Sequence, residues 1–523
     1  MDLITKLKEE NEALKSQLLK EKEKIQSLEK LNDWYIEQLK LRNKEKFGSS
    51  SEKADQNQLS LFDLFNEAET LKEPITVEPT EETLIPSHKR KKAKRGSNFT
   101  NLPVETIEYK LSDEEKVCDI CGSTLTEMKK EIRKELKVVP AKISIVEHIT
   151  YVYSCRTCDK EGTEGFIKKA DSPKALIAKS MVSPSMMSYI LNQKFSTAMP
   201  LYRQEQEFNR LGIELTRQNL SNWTIKGANL LKPLLAEMKT ALLSEELLHA
   251  DETTLEVLHE PGREATTKSY MWLYRTSADS TTPVILFDYT QGRGGDYAKK
   301  FLENWQGKYL HCDGYAGYKK LEDITLCGCL VHAKRKFNEA YKASINHDDA
   351  KIGEDYIRKL FAIESRADDL KLSLEERLTL RNTESKKVLE EFYVWIDKIS
   401  LITLPQSLLG KAITYTINQK EYLTNFLKDA RIQLSNNLAE QSIKMFVIGR
   451  KNFLFSNTPN GADSSALIYS VIQTAIANNL KPLYYLEYIF EKIQLSKDLD
   501  YKELLPWSEN ISERCKNNRN SQI

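Results

Sequence analysis

Three acidic residues have the type and spacing for chemistry on phosphate groups. Asp251 directly follows a short apolar run at residues 247–250, and Asp313 follows a second run at residues 309–312. Apolar runs of that length, bounded by polar residues, are typical of buried strands. Glu440 lies far downstream in a helical pattern. The sequence therefore predicts two aspartates at strand ends and a glutamate on a later helix.

Carboxylates that converge on one point repel each other unless cations lie between them. Their hard oxygen atoms select Mg²⁺ or Mn²⁺. Two such ions roughly 3.5–4 Å apart can activate an attacking oxygen and stabilise the leaving oxygen of a phosphodiester. In this hypothesis Asp251 bridges both ions, Asp313 holds one and Glu440 holds the other. Water would first free a 3′-hydroxyl, and that hydroxyl could then attack a second phosphodiester.

The residues around these carboxylates predict a mixed sheet. Strand patterns occur at residues 269–275, 283–288 and 325–331, and an Asn N-cap precedes the Glu440 helix. Residues 334–430 are charged and helical, and we interpret them as an all-helical insertion. Such an arrangement is typical of a ribonuclease-H-like nuclease core. The alternative is that the trio consists of surface or capping carboxylates, since 76 acidic residues supply many triples.

Two cysteines and one histidine lie near the end of the last predicted strand. Cys327 and Cys329 alternate with apolar residues, so we interpret them as strand cysteines and not as ligands. His332 begins a helical pattern after them. It either serves the site or makes a structural hydrogen bond.

Four other cysteines form two Cys-x-x-Cys pairs, Cys118 with Cys121 and Cys155 with Cys158. Together they can offer four thiolates to one tetrahedral Zn²⁺. Gly122 allows the tight turn that the first pair needs. Four thiolates would leave no open position, so the zinc would be structural and not catalytic. The alternatives are four reduced thiols or a redox-active pair.

A basic run at residues 89–95 lies in a segment with several prolines and few aromatic residues, which indicates a flexible linker. It begins with Lys89, Arg90, Lys91 and Lys92. Such a run binds phosphates by counterion release, without reading the base sequence. The alternative is an ordinary solvated charge run.

A helical hairpin is predicted between residues 201 and 223. The first helical pattern ends before Gly212, and a Thr N-cap opens the second, with Arg217, Gln218 and Asn219 near its start. This pattern suits a helix-turn-helix that contacts DNA. Plain helical hairpins have the same appearance, so the pattern leaves both interpretations open.

The first segment, residues 3–46, is rich in Glu, Lys and Leu and lacks Gly and Pro. A 4-3 spacing places Leu18 and Ile25 at a positions of a heptad, with Asn11 and Asn32 at further a positions. Buried Asn at a positions would fix the register of a two-stranded coiled coil. We expect homo-oligomerisation through this helix. The alternative is a helix that packs on its own chain or is solvated.

Composition restricts the class of protein. The chain has 523 residues, too many for one ordinary domain, of which 40% are hydrophobic and 29% are charged. Lys and Arg (77) nearly balance Asp and Glu (76), so the net charge indicates no partner. No run of about 18 apolar residues is present, and the charged start is unlike a signal peptide. The cysteines do not resemble a secreted disulfide set, so we expect a reducing, cytoplasmic compartment and no membrane partner.

We therefore expect a multidomain α+β protein. Its parts are a coiled-coil helix, a linker with the basic run, a zinc-binding domain built on the four paired cysteines, a helical helix-turn-helix-like DNA-binding region, and a ribonuclease-H-like core in two parts around a helical insertion, followed by a C-terminal tail. The corresponding boundaries are residues 1–46, 47–100, 101–170, 171–240, 241–333, 334–430 for the insertion, 431–480 and 481–523.

In this order, the motifs resemble those of transposases of the insertion sequence 66 family, in their large catalytic subunit. The resemblance covers most of the chain and is specific because the motifs occur together. They are Lys-Phe-Gly-Ser-Ser at residues 46–50, the four paired cysteines, His-Ala-Asp-Glu-Thr at 249–253, Asp-Gly-Tyr-Ala-Gly-Tyr at 313–318, Gly-Cys-Leu-Val-His-Ala at 328–333, Asn-Leu-Ala-Glu at 437–440 and Gly-Arg-Lys-Asn-Phe-Leu-Phe at 449–455.

The resemblance implies a DDE-type DNA transposase of a bacterial insertion sequence, with catalytic and metal-binding roles for Asp251, Asp313 and Glu440. It also implies binding to terminal inverted repeats and to target DNA near the nucleoid, with small accessory proteins as possible partners. Arg450 and Lys451, a basic pair beyond the glutamate helix, suit contact with the DNA backbone.

Two other functions fit the same motifs. A ribonuclease-H-like nuclease would cleave DNA without joining it to a target. An inactive DNA-binding regulator derived from a transposase would keep the zinc, helical and basic parts, although the intact carboxylate trio argues against such decay. The chain departs from the family pattern at Lys481, where the pattern has Asp before Pro482. That position lies outside the predicted core.

Overall fold

The structure is a computed structural model, and it describes residues 2–47, 142–154, 167–343, 348–496 and 498–517. The chain divides into two compact units. One comprises Met1–Pro74 and Lys174–Asn517, and the other comprises Ile75–Pro173 and Asn518–Ile523. In the second unit, strands β1 (Val152–Ser154) and β2 (Ile167–Lys169) pair in antiparallel fashion.

The chain begins with one long helix, α1 (Asp2–Phe47). The expected a and d positions of its heptads carry apolar side chains that are more than half exposed, between 53% and 59%. They are Leu14, Leu18, Ile25, Leu28 and Leu39. Asn11 and Asn32 lie on the same stripe and are also exposed. Within the described part of the chain, this apolar stripe of α1 stays open to solvent.

The first unit contains a five-stranded mixed sheet. Its strands are β3 (Leu247–Glu256), β4 (Lys268–Thr276), β5 (Ile285–Thr290), β6 (Tyr309–His311) and β7 (Thr325–Cys327), in the spatial order β5-β4-β3-β6-β7. The three strands β3, β4 and β5 are antiparallel, whereas β6 and β7 run parallel to β3. Gly262, with a φ of +73°, allows the turn between β3 and β4.

The central strand is longer than the sequence predicts. β3 continues past Asp251 to Glu256, so Asp251 lies within the strand and not at its end. The reason is that β4 pairs along this whole segment, with Asp251 opposite Leu273. On its other edge, β3 pairs with β6 only through Leu247, Leu248 and His249. The sheet therefore opens on one side of β3 directly before Asp251.

Helices pack against the sheet and form the main hydrophobic core with it. They are α2 (Pro184–Phe195), α3 (Leu201–Arg210), α4 (Arg217–Leu230), α5 (Lys232–Leu243), the short α6 (Gly295–Phe301), α14 (Pro459–Ala477) and α15 (Pro482–Leu495). Hydroxyls of α14 bind the edge strand: Ser470 Oγ accepts from the backbone N–H of Phe287 at 2.7 Å.

The C-terminal segment is more than the tail expected for residues 481–523. Its first part forms α15, whose Tyr485, Leu486, Ile489 and Phe490 are completely buried in the main core. These apolar residues recur at helical spacing, which provides the buried face.

A second hydrophobic core belongs to the helices between β7 and the Glu440 helix. These are α7 (Leu330–Ala343), α8 (Asp348–Asp369), α9 (Leu374–Leu380), α10 (Lys386–Ser400), α11 (Leu408–Asn418) and α12 (Lys420–Thr424), of which all but α9 contribute residues to this core. Leu247, Tyr309 and Cys327 of the sheet join this core. The chain then returns to the sheet as α13 (Asn437–Phe453). Among the described residues, no helix is both long enough and apolar enough to cross a membrane.

Candidate active site

The three predicted carboxylates come together at the opening of the sheet. Asp251 lies in β3, Asp313 follows β6, and Glu440 lies in the first turn of α13. The pKa of Asp251 is raised well above its ordinary value, mainly by burial and then by the negative charges of Glu252, Asp313 and Glu440. Like charges raise a carboxyl pKa in this way only when they are close. The fold thus concentrates negative charge around Asp251.

Glu440 is oriented by the residue that precedes its helix. Asn436 occupies the expected N-cap position, but its side chain makes no capping hydrogen bond. Its Nδ2 donates to the carbonyl oxygen of Ala250 at 2.8 Å, and its Oδ1 lies 2.9 Å from Nδ1 of His249. Asn436 therefore joins the start of α13 to β3 directly beside Asp251.

Two stacked histidines lie across the parallel strands at this point. His249 and His311 are paired in register, and their rings are 5.0 Å apart with an interplanar angle of 8°. Both residues are fully buried. Burial lowers the pKa of His311 to about 4 and the pKa of His249 well below its ordinary value, so both rings are neutral at pH 7. Since Asn436 Oδ1 can only accept, the His249 Nδ1 carries the proton in this pair.

The two oxygens of Glu440 have different surroundings. His332 Nε2 lies 3.9 Å from Oε1, and Arg335 Nη2 lies 3.8 Å from Oε2. Both distances exceed a hydrogen bond. Glu440 Oε1 is buried and has no hydrogen-bond partner among the described residues. This oxygen is therefore available to a ligand.

Arg293 and Glu252 are site residues that the sequence reasoning missed. Arg293 forms an ion pair with the buried Glu252 carboxylate, and its Nη2 lies 3.7 Å from Asp313 Oδ2. The Tyr318 hydroxyl donates to Glu252 Oε2 at 2.7 Å, and the Arg293 guanidinium stacks 3.8 Å above the Tyr315 ring. The sequence contains only weak signals for these two site residues: Glu252 is adjacent to Asp251, and Arg293 lies in a Gly-rich loop.

The carboxylate cluster has the chemistry of a divalent-cation site. It combines the half-buried Asp251, the Glu440 Oε1 that lacks a hydrogen-bond partner among the described residues, and the partly exposed Asp313. Oxygen ligands of this kind are those that Mg²⁺ and Mn²⁺ prefer. A bound cation would offset the repulsion that raises the pKa of Asp251. These residues therefore fit the metal ions that the motif implies.

The helical hairpin has the features expected at its second helix. The Thr216 hydroxyl accepts from the backbone N–H of Asn219 at 3.3 Å and caps α4. Arg217, Gln218 and Asn219 follow, and all three are exposed. Gly212, with a φ of +78°, makes the turn before it. DNA contact through these three residues stays a prediction.

Arg450 and Lys451, the basic pair after Glu440, have different surroundings. Arg450 Nη1 donates to Thr253 Oγ1 at 2.9 Å and also binds Thr254, so its guanidinium ties α13 to β3. Burial lowers the pKa of Arg450. Lys451 is exposed. DNA contact through Arg450 and Lys451 stays a prediction.

Other predicted residues lie outside the described part of the chain. They are Lys89, Arg90, Lys91 and Lys92 of the basic run and Cys118, Cys121, Cys155 and Cys158 of the zinc-binding domain.

Comparisons with protein families cover most of the chain. Residues 179–464 match the model described as the transposase IS66 family, and this range contains all three carboxylates. Residues 115–159 match the zinc-finger binding domain of transposase IS66, and this range contains all four paired cysteines. Residues 34–107 match a model described as transposase C of IS166 homeodomain, and residues 470–507 match the IS66 C-terminal element.

The chain is also similar to uncharacterized proteins of Sinorhizobium fredii (strain NBRC 101917 / NGR234). It is 27% identical to y4hP over 413 residues, which cover 75% of this chain and 73% of y4hP. It is 27% identical to y4jD over 434 residues, covering 80% of this chain and 83% of y4jD. For y4qI the identity is 27% over 437 residues, covering 80% and 78%.

Proposed function

Because the chain belongs to the IS66 family of transposases, we propose that it binds the terminal inverted repeats of a bacterial insertion sequence, cleaves DNA there and joins the 3′ ends to target DNA. The observation that carries this proposal is the carboxylate cluster of Asp251, Asp313 and Glu440. These residues come from three separate elements, and their charges act together on Asp251.

The sheet supports a ribonuclease-H-like catalytic core. Three antiparallel strands precede two parallel ones, and the order β5-β4-β3-β6-β7 places β3 at the centre. Asp251 lies on that central strand, Asp313 follows its parallel neighbour, and Glu440 lies on a helix that packs on it. The helical insertion lies between the second and third carboxylates in the chain, so a long interruption leaves the cluster intact.

In the proposed mechanism, Asp251, Asp313 and Glu440 would together hold the catalytic Mg²⁺ or Mn²⁺ ions. Bound ions supply an activated oxygen nucleophile and stabilise the leaving oxygen of the phosphodiester. Arg293 positions Asp313 through its 3.7 Å contact while it neutralises the neighbouring Glu252. Asn436 holds the first turn of α13, so Glu440 keeps its direction relative to Asp251.

DNA binding is assigned to parts outside the carboxylate cluster. The exposed Arg217, Gln218 and Asn219 open α4, and helix N-termini favour phosphate groups. The basic run at residues 89–95 would add sequence-independent attraction to the DNA backbone. A structural Zn²⁺ held by the four paired cysteines would stabilise the domain that the zinc-finger family matches.

Assembly into a homo-oligomer is assigned to α1. The apolar side chains at its a and d positions are more than half exposed, and pairing with a second copy would bury them. An oligomer would supply two active sites, so that both ends of one element could be cleaved within one assembly. Small accessory proteins of the same element are further possible partners in the bacterial cytoplasm.

A strand-transfer assay tests the proposal. Full-length protein, Mg²⁺ or Mn²⁺, a labelled transposon-end duplex and a target plasmid are combined, beside the variants Asp251→Asn, Asp313→Asn and Glu440→Gln. The matched control is Asp288→Asn, which changes a half-buried carboxyl of β5 outside the cluster.

Joined product from the wild type and from Asp288→Asn, but from none of the three cluster variants, is the expected result. Cleavage without joining would support a nuclease that lacks strand transfer. End binding with neither reaction would support a DNA-binding regulator. A cluster variant that retains full activity would remove that residue from the mechanism.

A further inference from the structure

A thiol, an imidazole and a carboxylate meet where α7 begins. Cys329 Sγ, a ring nitrogen of His332 and a carboxylate oxygen of Glu440 lie within 4.8 Å of one another. Strand β7 ends at Cys327, so Cys329 is not the strand cysteine that its alternation with apolar residues predicts. It directly precedes α7, and His332 lies in the first turn of that helix. Because β7 ends before Cys329, this thiol lies beside the first turn of α7 and near His332.

Two atoms of this cluster are buried without a hydrogen-bond partner among the described residues. They are Nδ1 of His332 and Oε1 of Glu440. The His332 Nε2 to Glu440 Oε1 distance of 3.9 Å is too long for a hydrogen bond between them. Buried polar atoms are seldom left unpaired, and each such atom needs an explanation. A cation bound by Glu440 Oε1 and by one ring nitrogen of His332 would provide an explanation for the unpaired carboxylate oxygen.

The third group, the Cys329 thiol, is fully buried but already has a donor directed at it. The backbone N–H of Asn436 donates to Cys329 Sγ at 3.2 Å. That N–H would stabilise a thiolate once a cation has displaced the proton. The side chains of His332 and Glu440 are 26% and 24% exposed, which leaves a path for an ion from solvent.

We propose that Cys329, His332 and Glu440 form a binding site for a borderline divalent cation, represented by Zn²⁺. Thiolate and imidazole are ligands that Zn²⁺ accepts, whereas Mg²⁺ prefers oxygen. Ligand atoms across a tetrahedral zinc lie roughly 3.3–3.8 Å apart, so small side-chain rotations would close the present spacing. The fourth position would hold water, and the displaced thiol proton would pass to solvent.

The site has a consequence for the reaction, which rests on the proposed function. A Glu440 carboxylate turned towards Zn²⁺ in this cluster would be less available to a catalytic Mg²⁺. Zn²⁺ would therefore compete with Mg²⁺ for Glu440 and inhibit cleavage. Zn²⁺ binding itself does not depend on the chain being a transposase.

Zinc content is the measurement that tests the site. Full-length protein is equilibrated with buffered free Zn²⁺, and bound zinc per chain is measured by mass spectrometry. Cys329→Ser and His332→Gln should each lose one zinc ion relative to the wild type. The controls Cys327→Ser, a nearby buried thiol outside the cluster, and Asp251→Asn should keep the wild-type content. Cys118→Ser should lose a different ion, so its loss should add to that of Cys329→Ser.

Wild-type zinc content in both Cys329→Ser and His332→Gln would overturn the proposal. Circular dichroism identifies a variant that fails to fold. If Cys329→Ser does not fold, the zinc content of His332→Gln tests the site, because substitution of a partly exposed side chain disturbs the fold less. An inactive wild-type protein would count against the proposed transposase, whereas it would leave the zinc measurement unaffected. If Cys329→Ser keeps Mg²⁺-dependent cleavage but is no longer inhibited by Zn²⁺, the zinc site would be shown to control the cleavage reaction.

Discussion

Nδ1 of His249 lies 2.9 Å from Oδ1 of Asn436, although 187 residues separate them in the chain. The same Asn436 side chain donates to the carbonyl oxygen of Ala250 at 2.8 Å. Through these two hydrogen bonds, the helix that carries Glu440 is fixed to the strand that carries Asp251. The helical insertion enters and leaves the core without disturbing this junction.

Replacing Asn436 should therefore affect both stability and cleavage. Asn436→Ala leaves the buried His249 Nδ1 and the Ala250 carbonyl unpaired, which should lower the free energy of unfolding by about 2–4 kcal/mol. Misdirection of Glu440 should reduce cleavage on the order of 10²-fold, with end binding retained. Denaturant unfolding and a cleavage assay measure the two effects. The exposed neighbour variant Asn437→Ala should change neither, and equal effects from both variants would contradict the assigned role.

The ion pair of Arg293 with Glu252 leads us to expect that a second substitution restores stability lost by the first. Arg293→Gln leaves the Glu252 carboxylate, whose side chain is 1% exposed, without its cation. Because the Arg293 side chain is itself 40% exposed, solvent weakens the pair, and the loss of this cation should cost on the order of 1–3 kcal/mol. The double variant Arg293→Gln with Glu252→Gln removes the buried charge and should recover much of that loss. Denaturant unfolding of the two single variants and the double variant tests this, and purely additive losses would show that the pair is not coupled.

Asp288 predicts a pH dependence of stability. The pKa of Asp288 is raised to about 6, mainly by burial in β5; the positive charge of Lys239 opposes this rise and the negative charge of Asp463 adds to it. The folded state therefore holds this proton more tightly than the unfolded state does, so stability falls as pH rises from about 4 to about 6. Asp288→Asn should reduce that fall, to which the raised pKa of Asp251 also contributes, and should be more stable than the wild type above pH 6, by at most about 3 kcal/mol. Unfolding measured from pH 4 to pH 8 checks this.

The control for that pH series is the exposed Asp279→Asn, which should follow the wild-type curve. If Asp288→Asn lost stability between pH 4 and pH 6 to the same extent as the wild type, Asp288 would not be the group that titrates.

The exposed apolar stripe of α1 leads us to expect an oligomer that dissociates when charged residues replace apolar ones on that stripe. Leu18→Glu together with Ile25→Glu would place charges at two a positions of the coiled coil, which should lower the mass in solution. Lys20→Glu lies off the stripe, on the same exposed helix, and should leave the mass unchanged. Light scattering measures the mass of each protein. An unchanged mass for the double variant would exclude α1 as the oligomerisation element.

Local patterns were enough to predict much of this protein. Periodicity predicted the long first helix, the strands that correspond to β4 and β6, and the helix of Glu440. The motif around Asp251, Asp313 and Glu440 indicated both the chemistry and the family, and the family matches confirm the latter. These features can be predicted from the sequence because helix and strand periods, caps and motifs depend on residues close together in the chain.

The tertiary structure decided what lies between distant segments. Pairing with β4 carries β3 past Asp251, whereas β6 stops at His249 and opens the sheet beside the carboxylate. Asn436 binds the strand instead of capping its helix, and Arg293 reaches Glu252 from a distant loop. Each of these contacts joins residues far apart in sequence. Their pairing depends on how the packed elements meet, and no local period or propensity contains that information.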